Sequence, residues 1–193
     1  MTTPVLKETP SQTGGPYIHI GTIPGFAGLK TRTREQRHVL ASAGPVIRIE
    51  GVIYDGAGAA ITDGIIEIWQ ADPEGRYNAP GFSGWGRAPT SGDGGLWAFE
   101  TLKPGIVPWR DGRPQAPHVT LAIFARGINI HLHTRLYFPE DEAAHAADPV
   151  LLAIAPPARR QTLVATRVPG DGAPVYRFEI FLQGERETVF FDM

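Results

Sequence analysis

The chain contains no cysteine, which excludes a disulfide framework and any metal site built from thiolates. No run of apolar residues is long enough to cross a membrane as a helix. The formal net charge is −2, with no basic excess that would favour a nucleic-acid partner. Residues 1–15 are polar and lack the apolar core of a secretory signal peptide, so we expect a cytoplasmic protein.

Turn-forming residues are abundant instead, with 23 glycines and 18 prolines among 193 residues. This composition favours short strands joined by turns over long helices. The length fits one domain, and the hydrophobic share of 42% is sufficient for a sizeable core. We therefore expect a single domain over residues 1–193, in which residues 1–13, with Pro4 and Pro10, form an extended N-terminal arm.

Alternating apolar and polar residues, bounded by turn signals, predict about eight strands. They lie at 46–54, 64–71, 96–102, 118–126, 131–138, 162–168, 176–183 and 187–192. A further short apolar strand is predicted at 18–20, one or two helical turns at 31–39, a short helix at 139–147 and a long irregular loop at 78–95. Since strands and helices do not alternate, the fold class is all-β: a Greek-key β-sandwich with short helices and long loops.

Two histidines, His131 and His133, form an H-x-H pair within a predicted strand. Residues two apart in a strand share a face, so the pair could hold a divalent metal. A third and a fourth ligand would still be needed, and no acidic residue lies nearby in the strand. A self-sufficient metalloenzyme and a structural or interface role both stay open for this pair.

Several segments resemble, in their order and spacing, the intradiol ring-cleavage dioxygenases. They are GVIYD at 51–55, IEIWQAD at 66–72, GRY at 75–77, DGGLWAF at 93–99, KPG at 103–105 and APHVTL at 116–121. The resemblance extends over nearly the whole chain from residue 13 onward. It implies an oxidoreductase in which Fe(III) is held by two tyrosinates and two histidines. Hard phenolate ligands suit this site because they stabilise the ferric ion.

Only part of that ligand set is matched in this chain. The resemblance places the ligands at Tyr77 and His118, but the two remaining positions hold Val107 and Thr120. The arginine that the family has just before its ligand strand is replaced by Gln115. The resemblance therefore implies an iron-free chain with no catalytic residue of its own, active only in a complex whose homologous partner subunit binds Fe(III).

The segments SQTGGPY at 11–17 and ARGINIHLHTRLY at 125–137 resemble the iron-free chain of such a two-chain enzyme. This implies that Gly15, Pro16, Tyr17 and Arg135 line the pocket around the partner's iron, where protocatechuate and O2 react. An arginine can orient the ring carboxylate of this substrate by a charge-assisted hydrogen bond. The resemblance also makes an interface role more plausible than metal binding for the H-x-H pair.

A non-enzymatic prealbumin-like β-sandwich binding module is the alternative from another functional class. Such modules have a G-x-V-x-D-x-G start, which GVIYDGA at 51–57 resembles, and an L-x-P-G turn like that at 102–105. They are usually about half this length, and they lack the WQAD and GRY segments, which argues against this alternative.

Overall fold

The computed structural model describes residues 14–15, 18–25, 28–29, 38–41 and 43–192. The predicted N-terminal arm, Pro16, Tyr17 and most of the predicted helical turn at 31–39 lie outside the described residues. Within the described ranges, no helix is both long enough and apolar enough to span a membrane.

Short strands make up most of the regular structure. The strands are β1 (Val46–Gly51), β2 (Ile53–Tyr54), β3 (Ile65–Trp69), β4 (Trp85–Pro89), β5 (Trp97–Leu102), β6 (Val107–Pro108), β7 (Pro114–Gln115), β8 (His118–Phe124), β9 (Leu132–Tyr137), β10 (Thr166–Val168), β11 (Val175–Arg177) and β12 (Ile180–Phe181). The helices are α1 (Ile18–Thr22), α2 (Glu142–His145) and α3 (Pro149–Ala153), with 3-10 turns at Asp93–Gly95, Pro139–Asp141 and Pro157–Leu163.

Two four-stranded sheets form the body of the fold. The first has the order β10-β11-β1-β5, and β1 runs parallel to β11 and antiparallel to β5. The second has the order β4-β3-β8-β9 and is antiparallel throughout. The small pairs β12-β2 and β6-β7 complete the described strands.

The core lies between the two sheets. Ile49 and Phe99 of the first sheet belong to the same buried cluster as Val119, Leu121 and Ile123 of β8. Because side chains alternate along a strand, burying these three β8 residues directs the intervening residues to the opposite, outer face of the second sheet. That outer face carries the candidate site.

The all-β prediction is confirmed, and so is the helical prediction at 139–147, which contains a 3-10 turn followed by α2. The predicted strands at 46–54 and 176–183 are each divided into two short strands. The predicted strands at 118–126 and 131–138 correspond to β8 and β9, which pair antiparallel.

Three local predictions are wrong. Ile18–Thr22 is helical, because an apolar run of three residues does not distinguish helix from strand. Residues 187–192 contribute only an isolated bridge between Phe191 and His133. The predicted loop at 78–95 contains β4, whose glycine and proline hide the strand; Pro89 is tolerated because β4 is an edge strand.

Candidate functional site

Two adjacent rows of side chains on the outer face of the second sheet form the centre of the site. In the first row His118 of β8 lies opposite Tyr137 of β9. In the second, Thr120 lies between Trp69 of β3 and Arg135 of β9. Directly opposed residues of antiparallel strands have Cβ atoms about 5 Å apart, so these five side chains are neighbours.

A tight turn after β3 places Tyr77 over this face. The buried carboxylate of Asp72 accepts hydrogen bonds from the two backbone N–H groups of the turn, at 3.0 and 2.8 Å. Gly75 has a φ of +76°, and a Cβ there would lie 2.1 Å from the carbonyl oxygen of Ile106. With the turn so fixed, the Tyr77 ring stacks on Trp69 at 5.8 Å between centroids, and 42% of Tyr77 is exposed.

Val107 and Gln115 lie opposite each other in the β6-β7 pair, and both are buried. The Gln115 amide donates a hydrogen bond from Nε2 to the carbonyl of Pro108 at 3.1 Å. Its Oε1 accepts one from Nη1 of Arg135 at 2.9 Å. The Gln115 amide, where the resemblance implies an arginine, therefore holds Arg135 in place.

The segment before His118 is anchored by Asp148, which is fully buried. Its Oδ2 accepts a hydrogen bond from the backbone N–H of Ala116 at 2.8 Å, while Oδ1 accepts from Val150 and Leu151 at the start of α3. Sequence reasoning missed this residue, although an aspartate followed by proline and an apolar run is a typical helix start.

His118 is a neutral, buried imidazole at neutral pH. Its Nδ1 donates to the carbonyl oxygen of Ala116 at 2.8 Å, which fixes the tautomer and leaves Nε2 as an acceptor. Burial, and after it the nearby charge of Arg135, lowers the pKa of His118 to about 4. Burial raises the pKa of Tyr77 despite the opposing effect of Arg135, so the phenol form is favoured.

Arg135 brings a fixed positive charge into this site. Nη1 donates to Gln115 and, at 3.3 Å, to the hydroxyl of Tyr137. The guanidinium carbon lies 5.8 Å from the centre of the Phe191 ring. Since the guanidinium affects the pKa of both Tyr77 and His118, a cation belonging to the protein lies close to the two matched ligand positions.

These residues do not fit Fe(III). Val107 has no donor atom and Thr120 offers a neutral hydroxyl, which leaves Tyr77 and His118 as the donors from the expected set. The positive charge of Arg135 would also repel a metal cation. In the part of the chain that the structure describes, no group of three histidine, aspartate or glutamate residues is placed to hold a metal ion.

His131 and His133 contact each other, with ring centroids 4.5 Å apart in an edge-on arrangement. His131 also stacks on Phe124 at 5.2 Å. Burial, followed by the neighbouring His131, lowers the pKa of His133. Within the described residues no third histidine, aspartate or glutamate joins the pair in a group that could hold a metal ion.

Gly15 and Arg135 do not meet on this chain. A Cβ on Gly14 would lie 3.3 Å from the carbonyl oxygen of Ala125, which places the Gly14-Gly15 turn against the end of β8. Arg135 pairs instead with Thr120, five residues earlier and about 16 Å along the strand.

A cavity of 540 Å³ lies beside Arg135 on the outer face of the second sheet. Its walls are mostly aromatic and basic side chains that sequence reasoning did not connect. They are Trp69, Trp109, Arg110, Thr120, His133, Thr134, Arg135, Val150, Phe191 and Asp192. No local sequence pattern predicts the strand register that brings Trp69 close to Arg135. Nor does one predict that the C-terminal segment covers them.

Comparisons with known proteins agree with this architecture. A family model described as "Dioxygenase" matches residues 22–184. The alpha chain of protocatechuate 3,4-dioxygenase from Pseudomonas putida is 48% identical, over 97% of this chain and 98% of that protein. The beta chain from Burkholderia cepacia is 32% identical, over 75% of this chain and 67% of that protein.

Among solved structures, the dioxygenase domain of a dioxygenase carbohydrate-binding fusion from Streptomyces sp. SirexAA-E has a TM-score of 0.58. It covers 79% of this chain and 88% of that domain, at 22% identity. At that identity the likeness supports the fold.

Proposed function

This chain belongs to the dioxygenase family, and we propose that it serves there as the iron-free alpha subunit of a protocatechuate 3,4-dioxygenase. The complex would cleave protocatechuate with O2 between its two hydroxylated carbons, giving 3-carboxy-cis,cis-muconate. Fe(III) would be bound by a homologous beta subunit. The chain would be one intradiol-dioxygenase-like domain over residues 1–193, working in the cytoplasm as part of that complex and inactive alone.

The observation that carries this proposal is the position of Arg135. An enzyme that used its own iron would need this face for a metal, but here the guanidinium of Arg135 is bonded to Tyr137, whose ring packs 5.6 Å from that of His118. The hydrogen bond from Arg135 to Gln115 fixes that charge. Arg135, Gln115 and Tyr137 thus form a hydrogen-bonded network of the chain itself beside the expected ligand positions.

The relatives supply the second support. This chain is similar over almost its whole length to an alpha chain and, more distantly, to a beta chain of the same kind of enzyme. Two homologous chain types fit a division in which one keeps the metal and the other does not. The match of the family model to residues 22–184 also disfavours the non-enzymatic module.

The proposal includes a direct contribution to the partner's iron site. Gly15, Pro16 and Tyr17 would form a rigid wall of the pocket, with the Tyr17 hydroxyl at its rim. Arg135 would help to attract the carboxylate of protocatechuate. Because Gln115 keeps the guanidinium within this chain, its contribution at the partner's pocket would be through its electric field.

Co-expression with a beta partner tests the subunit role. We expect the chain purified alone to contain no stoichiometric iron and to consume no oxygen with protocatechuate. The complex should contain one iron per pair of chains and should consume oxygen. Tyr77→Phe, which keeps the ring on Trp69, should leave the iron content of the complex unchanged. Stoichiometric iron in the isolated chain would refute the proposal.

Variants of the assembled enzyme test the pocket residues separately. Arg135→Ala should raise the KM for protocatechuate, and Tyr17→Phe should alter KM or kcat. Arg186→Ala, which removes an exposed arginine that packs on Phe181, is the matched control. If Arg135→Ala leaves both KM and kcat unchanged, the assignment of Arg135 to substrate binding is wrong.

A further inference from the structure

We infer that Arg87 is a positioning residue for the pocket wall that includes Gly15. Its guanidinium holds the C-terminal end of helix α1 on the second sheet, and the N-terminal end of α1 is hydrogen-bonded to Gly15. This role rests on the proposed function, in which Gly15 belongs to the wall of the partner's iron site.

Arg87 is itself held firmly on the outer face of the second sheet. It lies on β4 opposite Glu67 of β3. Its Nε donates to Oε1 of Glu67 at 2.7 Å, and its Nη2 donates to the same oxygen. The guanidinium carbon lies 5.0 Å from the centre of the Trp85 ring. An arginine fixed by a carboxylate and an aromatic ring keeps its planar fork in one orientation, so its remaining donor has a defined direction.

That remaining donor contacts α1. Nη1 of Arg87 donates to the carbonyl oxygen of Thr22, the last residue of α1, at 2.9 Å. A carbonyl at the end of a helix lacks an intrahelical partner, and a charged donor forms a strong hydrogen bond with it. His19 adds a longer contact, with Nε2 3.4 Å from the carbonyl oxygen of Gly64 at the start of β3. The helix is therefore attached to both β3 and β4.

The position of α1 determines that of Gly15. The backbone N–H of Ile18, the first residue of α1, donates to the carbonyl oxygen of Gly15 at 3.0 Å. Ile23, directly after Thr22, is only 4% exposed and fixes the other end of the helix in the core. Because α1 is one short hydrogen-bonded unit, a displacement of Thr22 should be transmitted to Gly15. Loss of the Arg87 bond should therefore move the wall.

Steady-state kinetics of the chain in complex with its beta partner test this role. The double variant Glu67→Gln/Arg87→Met removes the bond to Thr22 without leaving a lone carboxylate on the sheet. We expect KM for protocatechuate to rise about tenfold at nearly unchanged kcat, because a displaced positioning element is costly even far from the chemistry. Partial unfolding would instead lower kcat at unchanged KM. Arg48→Met, which removes an arginine paired with Glu50 on the first sheet, is the control and should change neither constant.

A second substitution shows whether Arg87 acts through the wall. The Cβ added by Gly15→Ala would meet no atom of this chain within 4 Å, so a rise in KM would report on the partner's pocket. Combined with E67Q/R87M, G15A should raise KM by much less than the product of the separate effects, because both changes act at one place. A raised KM in G15A but not in E67Q/R87M, or a combined effect equal to that product, would overturn the role of Arg87.

Hydrogen exchange of the α1 amides in the same complexes separates this inference from the proposed function. We expect exchange about fivefold faster in E67Q/R87M than in the wild type, because one anchoring hydrogen bond is lost. An unchanged exchange rate would overturn the anchoring of α1 by Arg87. Faster exchange with an unchanged KM in both E67Q/R87M and G15A would instead refute the wall, and with it the contribution of Gly15 in the proposed function.

Discussion

Arg135 donates a hydrogen bond from Nη1 to Oε1 of Gln115 over 2.9 Å, joining β9 to the short β7 strand. The same amide donates to the carbonyl of Pro108. Through these two bonds the Gln115 side chain connects Arg135 of β9 to Pro108 of β6, the strand that also contains Val107. Gln115 and Val107, where the resemblance led us to expect an arginine and a metal ligand, are thus opposed residues of one strand pair, and Gln115 contacts the guanidinium.

Loss of the Gln115 amide should destabilise the fold. Gln115→Leu keeps an apolar bulk similar to that of the side chain but leaves Nη1 of Arg135 without its amide acceptor. We expect the free energy of unfolding to fall by about 1–2 kcal/mol, measured by urea denaturation of the complex. Gln161→Leu, at an exposed position, is the control and should change it little. Equal stability of the two variants would show that the Arg135–Gln115 contact is energetically neutral.

Loss of the buried carboxylate of Asp148 should destabilise the fold, because it joins the segment before His118 to the start of α3. In Asp148→Asn one oxygen can still accept from the start of α3, but the amide nitrogen cannot accept from Ala116. We expect a loss of about 1–3 kcal/mol in the free energy of unfolding. Asp171→Asn, at an exposed position, should cost almost nothing. A neutral Asp148→Asn would mean that Asp148 does not anchor the segment before His118.

His118 should make the stability of the chain depend on pH. Its pKa in the folded state is about 4, below the ordinary value of 6.5, so the unfolded chain binds the proton more tightly. The stability that this provides is fully present above the unfolded pKa and is lost as the pH falls towards 4. Between pH 7 and 4.5 the histidine should account for a loss of about 2 kcal/mol in the free energy of unfolding.

His118→Asn tests that prediction, because the Asn amide can replace Nδ1 as the donor to Ala116 but does not titrate. Its unfolding free energy, measured by urea denaturation at pH 7 and 4.5, should fall less than that of the wild type over this interval. His38→Asn, at a partly buried histidine of the described segment 38–41, is the comparison variant. An identical pH dependence in wild type and His118→Asn would contradict the assignment.

The sequence predicts the large features of this fold because they have local signals. Alternation over 118–126 and 131–138 predicts β8 and β9, and Gly127 with its neighbours predicts the turn between them. The edge strand β4 escapes prediction because its residues have low strand propensity and depend on pairing with β3. Helix α1 escapes because its apolar run is too short to show a period.

The candidate site is predictable to a smaller extent. The resemblance predicts the ligand positions one at a time, and Tyr77, His118 and Thr120 do lie on one face. The position of Arg135 among them depends on the β8-β9 register, which places it opposite Thr120. The approach of Trp109 and Phe191 depends on long-range packing. These relationships have no short-range pattern, so only the three-dimensional structure reveals them.

The charge of Arg135 should be the main obstacle to restoring a metal site. Thr120→His would place a second imidazole on the same face as His118, with Tyr77 as a third donor. We expect T120H alone to bind no Co(II) after dialysis, because the fixed guanidinium repels the ion, whereas T120H/R135Q should bind it and show a visible absorption band. R135Q alone is the control and should bind none. Equal Co(II) binding by T120H and T120H/R135Q would show that Arg135 does not exclude metal from this site.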